Sequence, residues 1–180
     1  MSIALLALLL GVCVHGQSVT VLYENEGTLG GLSTELLSYS GVIDQRNNGC
    51  YDGVCLRLEN NGQASRGEIW REVDTTGYTD VTIDVVIKTT NLNSGDSCVL
   101  MWMIPFESSY INEEIYRYEH AGGKQLGWTT LTLNNANIDN VNVDLDNVPG
   151  GFRYRLGQAG TTGDYCWFDS IKITGVPIGV

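Results

Sequence analysis

Residues able to do chemistry are sparse in this chain, and the most telling of them lies near its C-terminal end. In Tyr165-Cys166-Trp167-Phe168-Asp169-Ser170-Ile171-Lys172-Ile173, period-two alternation sets Trp167, Asp169, Ile171 and Ile173 on one face. Phe168, Ser170, Lys172 and Thr174 fall on the other. A carboxylate in line with core residues must have hydrogen-bond donors, a cation or a partly wet niche, because burying it unpaired is prohibitive. Four tryptophans, Trp70, Trp102, Trp128 and Trp167, offer rings on which a sugar can stack, although core packing is the commoner fate of an aromatic in a strand. Tyr110, Tyr116 and Tyr118 lie in a longer polar stretch with Glu113 and Glu114 beside them. Exposed there, the tyrosines would form a ligand-binding surface and the two glutamates would accept sugar hydroxyls or hold a cation. Asn142, Asp144 and Asp146 alternate along one presumptive strand as a solvated acidic face.

Catalytic constellations are missing. Beyond the N-terminal apolar run His120 is the sole histidine, with no serine or cysteine motif around it, and nothing marks a pair of carboxylates. The chain reads as a non-enzyme, with no catalytic residues.

Cysteine usage bounds the compartment. Apart from Cys13, Cys50, Cys55, Cys98 and Cys166 make an even set with three pairings open to it. Cys50 and Cys55 flank a short loop, whereas Cys98 and Cys166 each follow a Gly-Asp pair and open an apolar strand, so the expected bridges are 50–55 and 98–166. No CxxC-type spacing suggests zinc, and disulfides suit an extracellular chain. Residues 1–16, MSIALLALLLGVCVHG, read as a secretory signal peptide with cleavage before Gln17, leaving residues 17–180 as a single secreted domain. The net charge of −11 argues against nucleic acid and anionic membranes as partners, and admits cations and neutral sugars.

The elements that must position these groups are strands. Val81, Ile83, Val85 and Ile87 alternate with polar residues, Cys98–Ile104 is apolar on both faces, and Phe152, Tyr154 and Leu156 alternate with Arg153 and Arg155. Ser18–Tyr23, Leu56–Leu58, Ile69–Val73, Trp128–Leu133 and Val141–Leu145 add further strands. Glu113–His120 fits a helix or a strand. About nine short strands separated by Gly, Asn and Asp turns predict one all-β domain, an antiparallel two-sheet β-sandwich.

The order of the motifs resembles the MAM-like and galactose-binding-like jelly-roll modules of secreted and cell-surface proteins. It is carried by Val54-Cys55-Leu56-Arg57-Leu58 before an Asn-Gly turn, and by Val73 to Ile83 around Thr76-Gly77-Tyr78. Asn93-Ser94-Gly95-Asp96-Ser97, Gly127-Trp128-Thr129-Thr130-Leu131 and Phe152-Arg153-Tyr154-Arg155-Leu156 follow, then Gly163-Asp164-Tyr165 leading into the last strand. The resemblance implies a non-catalytic role in binding or adhesion, with a glycan or an extracellular protein as partner. It also implies a structural Ca²⁺ between an early acidic loop and the last strand, with Glu24, Glu26 and Asp169 as its carboxylate ligands; the alternative for Asp169 is satisfaction by loop amides. Residues 105–126 exceed the hairpin usual at that point of such modules, which marks them as a functional insertion. A second role also fits the chain: a structural subunit of a matrix, coat or filament, pairing with its own neighbours through segments such as Val19-Thr20-Val21-Leu22.

Overall fold

A computed structural model describes residues 18–28, 30, 33–36, 42–60, 67–120, 125–157 and 163–179. The predicted signal peptide lies outside them. The described residues form eleven strands and no helix. In order they are β1 (Thr20–Asn25), β2 (Ser33–Leu36), β3 (Val42–Arg46), β4 (Cys55–Asn60), β5 (Gly67–Asp74) and β6 (Tyr78–Thr90). There follow β7 (Ser97–Phe106), β8 (Ser109–Glu119), β9 (Thr129–Leu133), β10 (Pro149–Gly157) and β11 (Asp164–Pro177).

Two antiparallel sheets result. One runs β3-β4-β11-β6-β9, with β1 also paired to β11; the other runs β2-β5-β10-β7-β8. The alternating positions read from the sequence meet between them: Leu56 and Leu58, Val81 to Ile87, Cys98, Leu100 and Trp102, and Phe152, Tyr154 and Leu156 are all buried in one core. Tyr154 of one sheet stacks on Phe168 of the other at 4.0 Å between ring centroids. Both expected disulfides are present, and Cys98–Cys166 ties β7 to β11 across the sandwich.

Three local readings are corrected. First, period-two alternation breaks inside β11. Phe168 pairs with Ile87 and Ile171 with Val85, three steps on one strand against two on the other, so one extra residue bulges out. Cys166 and Phe168 therefore share the core side with Ile171 and Ile173, while Trp167 turns outward, half-buried. The bulge falls where β4, paired through Phe168, gives way along the same edge to β1, paired from Ile171. Second, residues 141–145 are not a strand. Val143 and Leu145 are buried and Val141 is 92 % exposed, yet they lie in an irregular segment held by its own side chains. Asp144 accepts from Asn135 Nδ2 at 2.8 Å, and Asp146 accepts the Val81 N–H at 2.8 Å, so the expected acidic ladder is a set of turn-forming carboxylates. Third, most of the 105–126 stretch is a strand: β8 folds back on β7 through a turn at Glu107, whose φ is +52°.

Candidate functional site

β8 sits at the edge of the five-stranded sheet, and its register decides where the predicted ligand residues go. Leu100 faces Tyr116 and Met101 faces Glu114, so Ile115 is the extra residue of a second bulge. Tyr116 and Tyr118 pair with Leu100 and Cys98 and pack against the core. Glu113, opposite Trp102, accepts from Asn140 Nδ2 at 2.8 Å. These three therefore do not form a free surface. Tyr110 and Glu114 pair with Pro105 and Met101, on the sheet's outward face.

That outward face is built from residues at matched register. One row runs Trp70, Arg153, Met101, Glu114 across β5, β10, β7 and β8. The next runs Glu68, Arg155, Val99, Arg117 across the same four strands. Its middle is covered: Val99, Met101 and Met103 are 1 %, 3 % and 0 % exposed, although they lie outside the core cluster between the sheets. On the outward face of the six-stranded sheet Asp84, Lys88, Ser170 and Lys172 are half-buried, and Val86 is buried there outside the core cluster. The five-stranded sheet thus carries a layer of covered apolar side chains among charged ones.

The charges are held rigidly. Arg153 Nη1 donates to Glu68 Oε2 at 2.7 Å, with the Glu68 side chain 2 % exposed, and the Arg153 guanidinium lies 5.9 Å from the centroid of the half-buried Trp70 ring. Arg117 donates twice to Glu114 at 2.6 Å and once to Ser97 Oγ at 2.9 Å. Those bonds to Glu114 hold the Arg117 guanidinium above its ordinary pKa. The Tyr110 hydroxyl is raised by desolvation and by its hydrogen bond to Glu72 on β5. Two polar atoms of this face, Arg153 Nε and Asn112 Oδ1, are buried with no hydrogen-bond partner. The arrangement offers an aromatic ring, fixed planar donors and fixed carboxylate acceptors.

The other tryptophans divide. Trp102 is fully buried. Trp128 and Trp167 stand on the opposite sheet with Lys88 between them, 5.1 and 5.0 Å from the two ring centroids, and Arg57 lies 5.5 Å from Trp167. Arg57 is in turn held by Asp44 through two bonds of 3.1 Å.

Glu24, Glu26 and Asp169 line one cleft on that sheet, but they do not form a cage. Glu24 turns to Lys172 Nζ at 3.3 Å, and Glu26 is exposed. Asp169 Oδ2 accepts the backbone N–H groups of Tyr51 at 2.7 Å and Asp52 at 3.0 Å. The cysteine sulfurs within 4.8 Å of the Asp169 carboxylate belong to Cys50 and Cys55, already bonded to each other. Calcium wants six to eight oxygens, and the carboxylates as placed do not supply a shared set.

Sequence reasoning passed over Glu68, Arg153 and Arg155 and favoured a core place for Trp70. Their signal was present: two arginines alternating with core residues on one strand of a strongly acidic chain.

No protein-family model matches the chain, and no curated protein matches it. Solved structures do. A carbohydrate-binding module of the β-sandwich superfamily is 16 % identical with a TM-score of 0.56, over 82 % of this chain and 58 % of that one. The family 11 carbohydrate-binding module from Clostridium thermocellum, in complex with a β-1,3-1,4-mixed-linked tetrasaccharide, is 12 % identical with a TM-score of 0.58, over 88 % of this chain and 96 % of that one. The K1 cleaved adhesin domain of Lys-gingipain from Porphyromonas gingivalis W83 is 12 % identical with a TM-score of 0.62, over 87 % and 97 %. At these identities the likeness establishes the fold: this chain is a β-sandwich of the architecture that carbohydrate-binding modules use.

Proposed function

We propose that the domain is a secreted, non-catalytic glycan-binding module of the MAM-like or galactose-binding-like jelly-roll type, whose ligand lies in a groove along the outward face of the five-stranded sheet. One observation carries this reading. On that face the half-buried Trp70 ring stands beside the ion-paired Arg153, next to Val99, Met101 and Met103, an apolar set that is buried yet outside the core. Sugars present an apolar face to an aromatic ring and hydroxyls to planar donors and acceptors. Groups already held by mutual ion pairs lose little freedom on binding. Solved domains of this fold that bind carbohydrate support the reading, as do two disulfides, which suit an extracellular setting. The test is a glycan array probed with wild type, Trp70→Ala and Trp70→Phe. Loss with alanine and partial retention with phenylalanine supports the reading; unchanged binding by both variants refutes it.

Self-assembly is the second reading. Val19, just before β1, and Val21, within it, are 63 % and 48 % exposed, and β1 has β11 as its paired neighbour. Electron microscopy of the native protein separates the two, since filaments would favour a structural subunit.

A further inference from the structure

The cleft on the six-stranded sheet is a different place, and nothing in the groove explains it. It measures about 660 Å³ and lies on the outward face of the sheet, where Asp84 of β6, Thr130 of β9 and Ser170 and Lys172 of β11 form one side. The other side comes from the loop closed by the Cys50–Cys55 disulfide, which contributes Tyr51. Such a volume falls within the roughly 300–1,000 Å³ of ordinary ligand sites.

Three contacts fix Tyr51 at the rim. The disulfide closes its loop, the Asp169 carboxylate takes its backbone N–H, and its ring packs on Trp128 at 6.3 Å in an edge-on arrangement. Trp128 is itself anchored, because Trp128 Nε1 and Lys88 Nζ both donate to Gly49 O at 3.2 Å. Despite these restraints Tyr51 is 62 % exposed. A large aromatic held still and left in water beside a polar cleft is preorganised for stacking. Charge then narrows the ligand. Glu24, Glu26, Asp52 and Asp84 line the cleft, and its one lysine, Lys172, is spent on Glu24. Carboxylates accept from sugar hydroxyls and repel uronates, sulfates and phosphates.

We infer that this cleft is a second carbohydrate site, selective for neutral oligosaccharide, so that the domain holds glycan chains on both outward faces. The inference rests on the carbohydrate-binding reading but uses none of the groove's residues. Its test is a glycan array of neutral and anionic sugars, including the mixed-linked β-1,3-1,4-tetrasaccharide, probed with wild type, Trp70→Ala, Tyr51→Ala and Thr130→Arg. Tyr51→Ala keeps the backbone N–H that reaches Asp169, and Thr130→Arg fills the cleft from an exposed position, so neither should unfold the domain. The expected result is neutral-glycan binding that survives Trp70→Ala and weakens at least tenfold with either cleft variant. If Trp70→Ala abolishes all binding, the second site is wrong and the groove stands. If binding survives Trp70→Ala and is lost with Tyr51→Ala, with none left for the groove, the groove is wrong and the cleft stands. Wild type that binds no neutral glycan, or cleft variants that bind like wild type, overturns the inference.

Discussion

The backbone N–H of Tyr51 donates to the Asp169 carboxylate at 2.7 Å across 118 residues of sequence. Asp169 stands at the bulge where β11 changes partner from β4 to β1, and the disulfide loop is drawn over that gap to fill it. Gly27 passes through the same gap: a Cβ there would lie 2.2 Å from the Asp169 carbonyl oxygen and 2.3 Å from that of Val54.

Asp169→Ala should accordingly destabilise the domain by about 2–5 kcal/mol, because two N–H groups lose a charged acceptor. Asp169→Asn, which keeps an acceptor oxygen, should cost less. Two N–H groups already hold Asp169 Oδ2, so a chelator should leave the melting temperature where it was. A fall reversed by added calcium would instead return the ion, with Glu24 and Glu26, to the account. Thermal melts in chelator and in calcium decide it.

Gly27→Ala should be among the most damaging single changes, at about 4 kcal/mol, since its φ is +73° and both close atoms are backbone. Gly53→Ala, at φ +59° with nothing within 4 Å of the added carbon, should cost only about 1–2 kcal/mol. Denaturant unfolding of the two variants measures the contrast.

Removing Cys98–Cys166 as a pair of serines should destabilise more than removing Cys50–Cys55. The sequence separations of 68 and 5 correspond to about 4 and about 2 kcal/mol of chain entropy. Equal losses would mean that the short loop does more than close on itself.

Tyr116→Ala with Tyr118→Ala should lower stability by about 2 kcal/mol for each change, because both rings pack on the core from β8. This reverses what the sequence suggests, where a long polar stretch reads as a free loop.

The difference is instructive about what a sequence carries. Alternation was readable wherever a strand runs unbroken, as in Val81 to Ile87 and Phe152 to Leu156, because the burial period is local. Both disulfides were readable from spacing and from the Gly-Asp pairs preceding Cys98 and Cys166. Bulges were not. The extra residue in β11 is set by partner strands far off in sequence and that at Ile115 by its pairing with β7, and each reverses the facing of what lies beyond it. Trp167 changed sides for that reason, and only Tyr110 and Glu114 of the five predicted ligand residues stayed on an outward face. The groove itself needs β5, β10, β7 and β8 brought side by side, an order that no local pattern states.

Breaking the buried ion pair should separate fold from binding poorly, since Arg153→Ala takes a hydrogen-bonded cation from the buried Glu68 carboxylate at a cost of about 3 kcal/mol. Trp70 is the cleaner probe. It is half-buried on an outward face, and removing its ring leaves the Arg153–Glu68 bond in place.

The most direct measurement is therefore the affinity of Trp70→Ala for whichever glycan the wild type binds best among those held by its groove, read beside the melting temperatures of both proteins. The groove account predicts at least a tenfold loss of affinity with melting within a few degrees of wild type. Unchanged affinity at unchanged stability would contradict it.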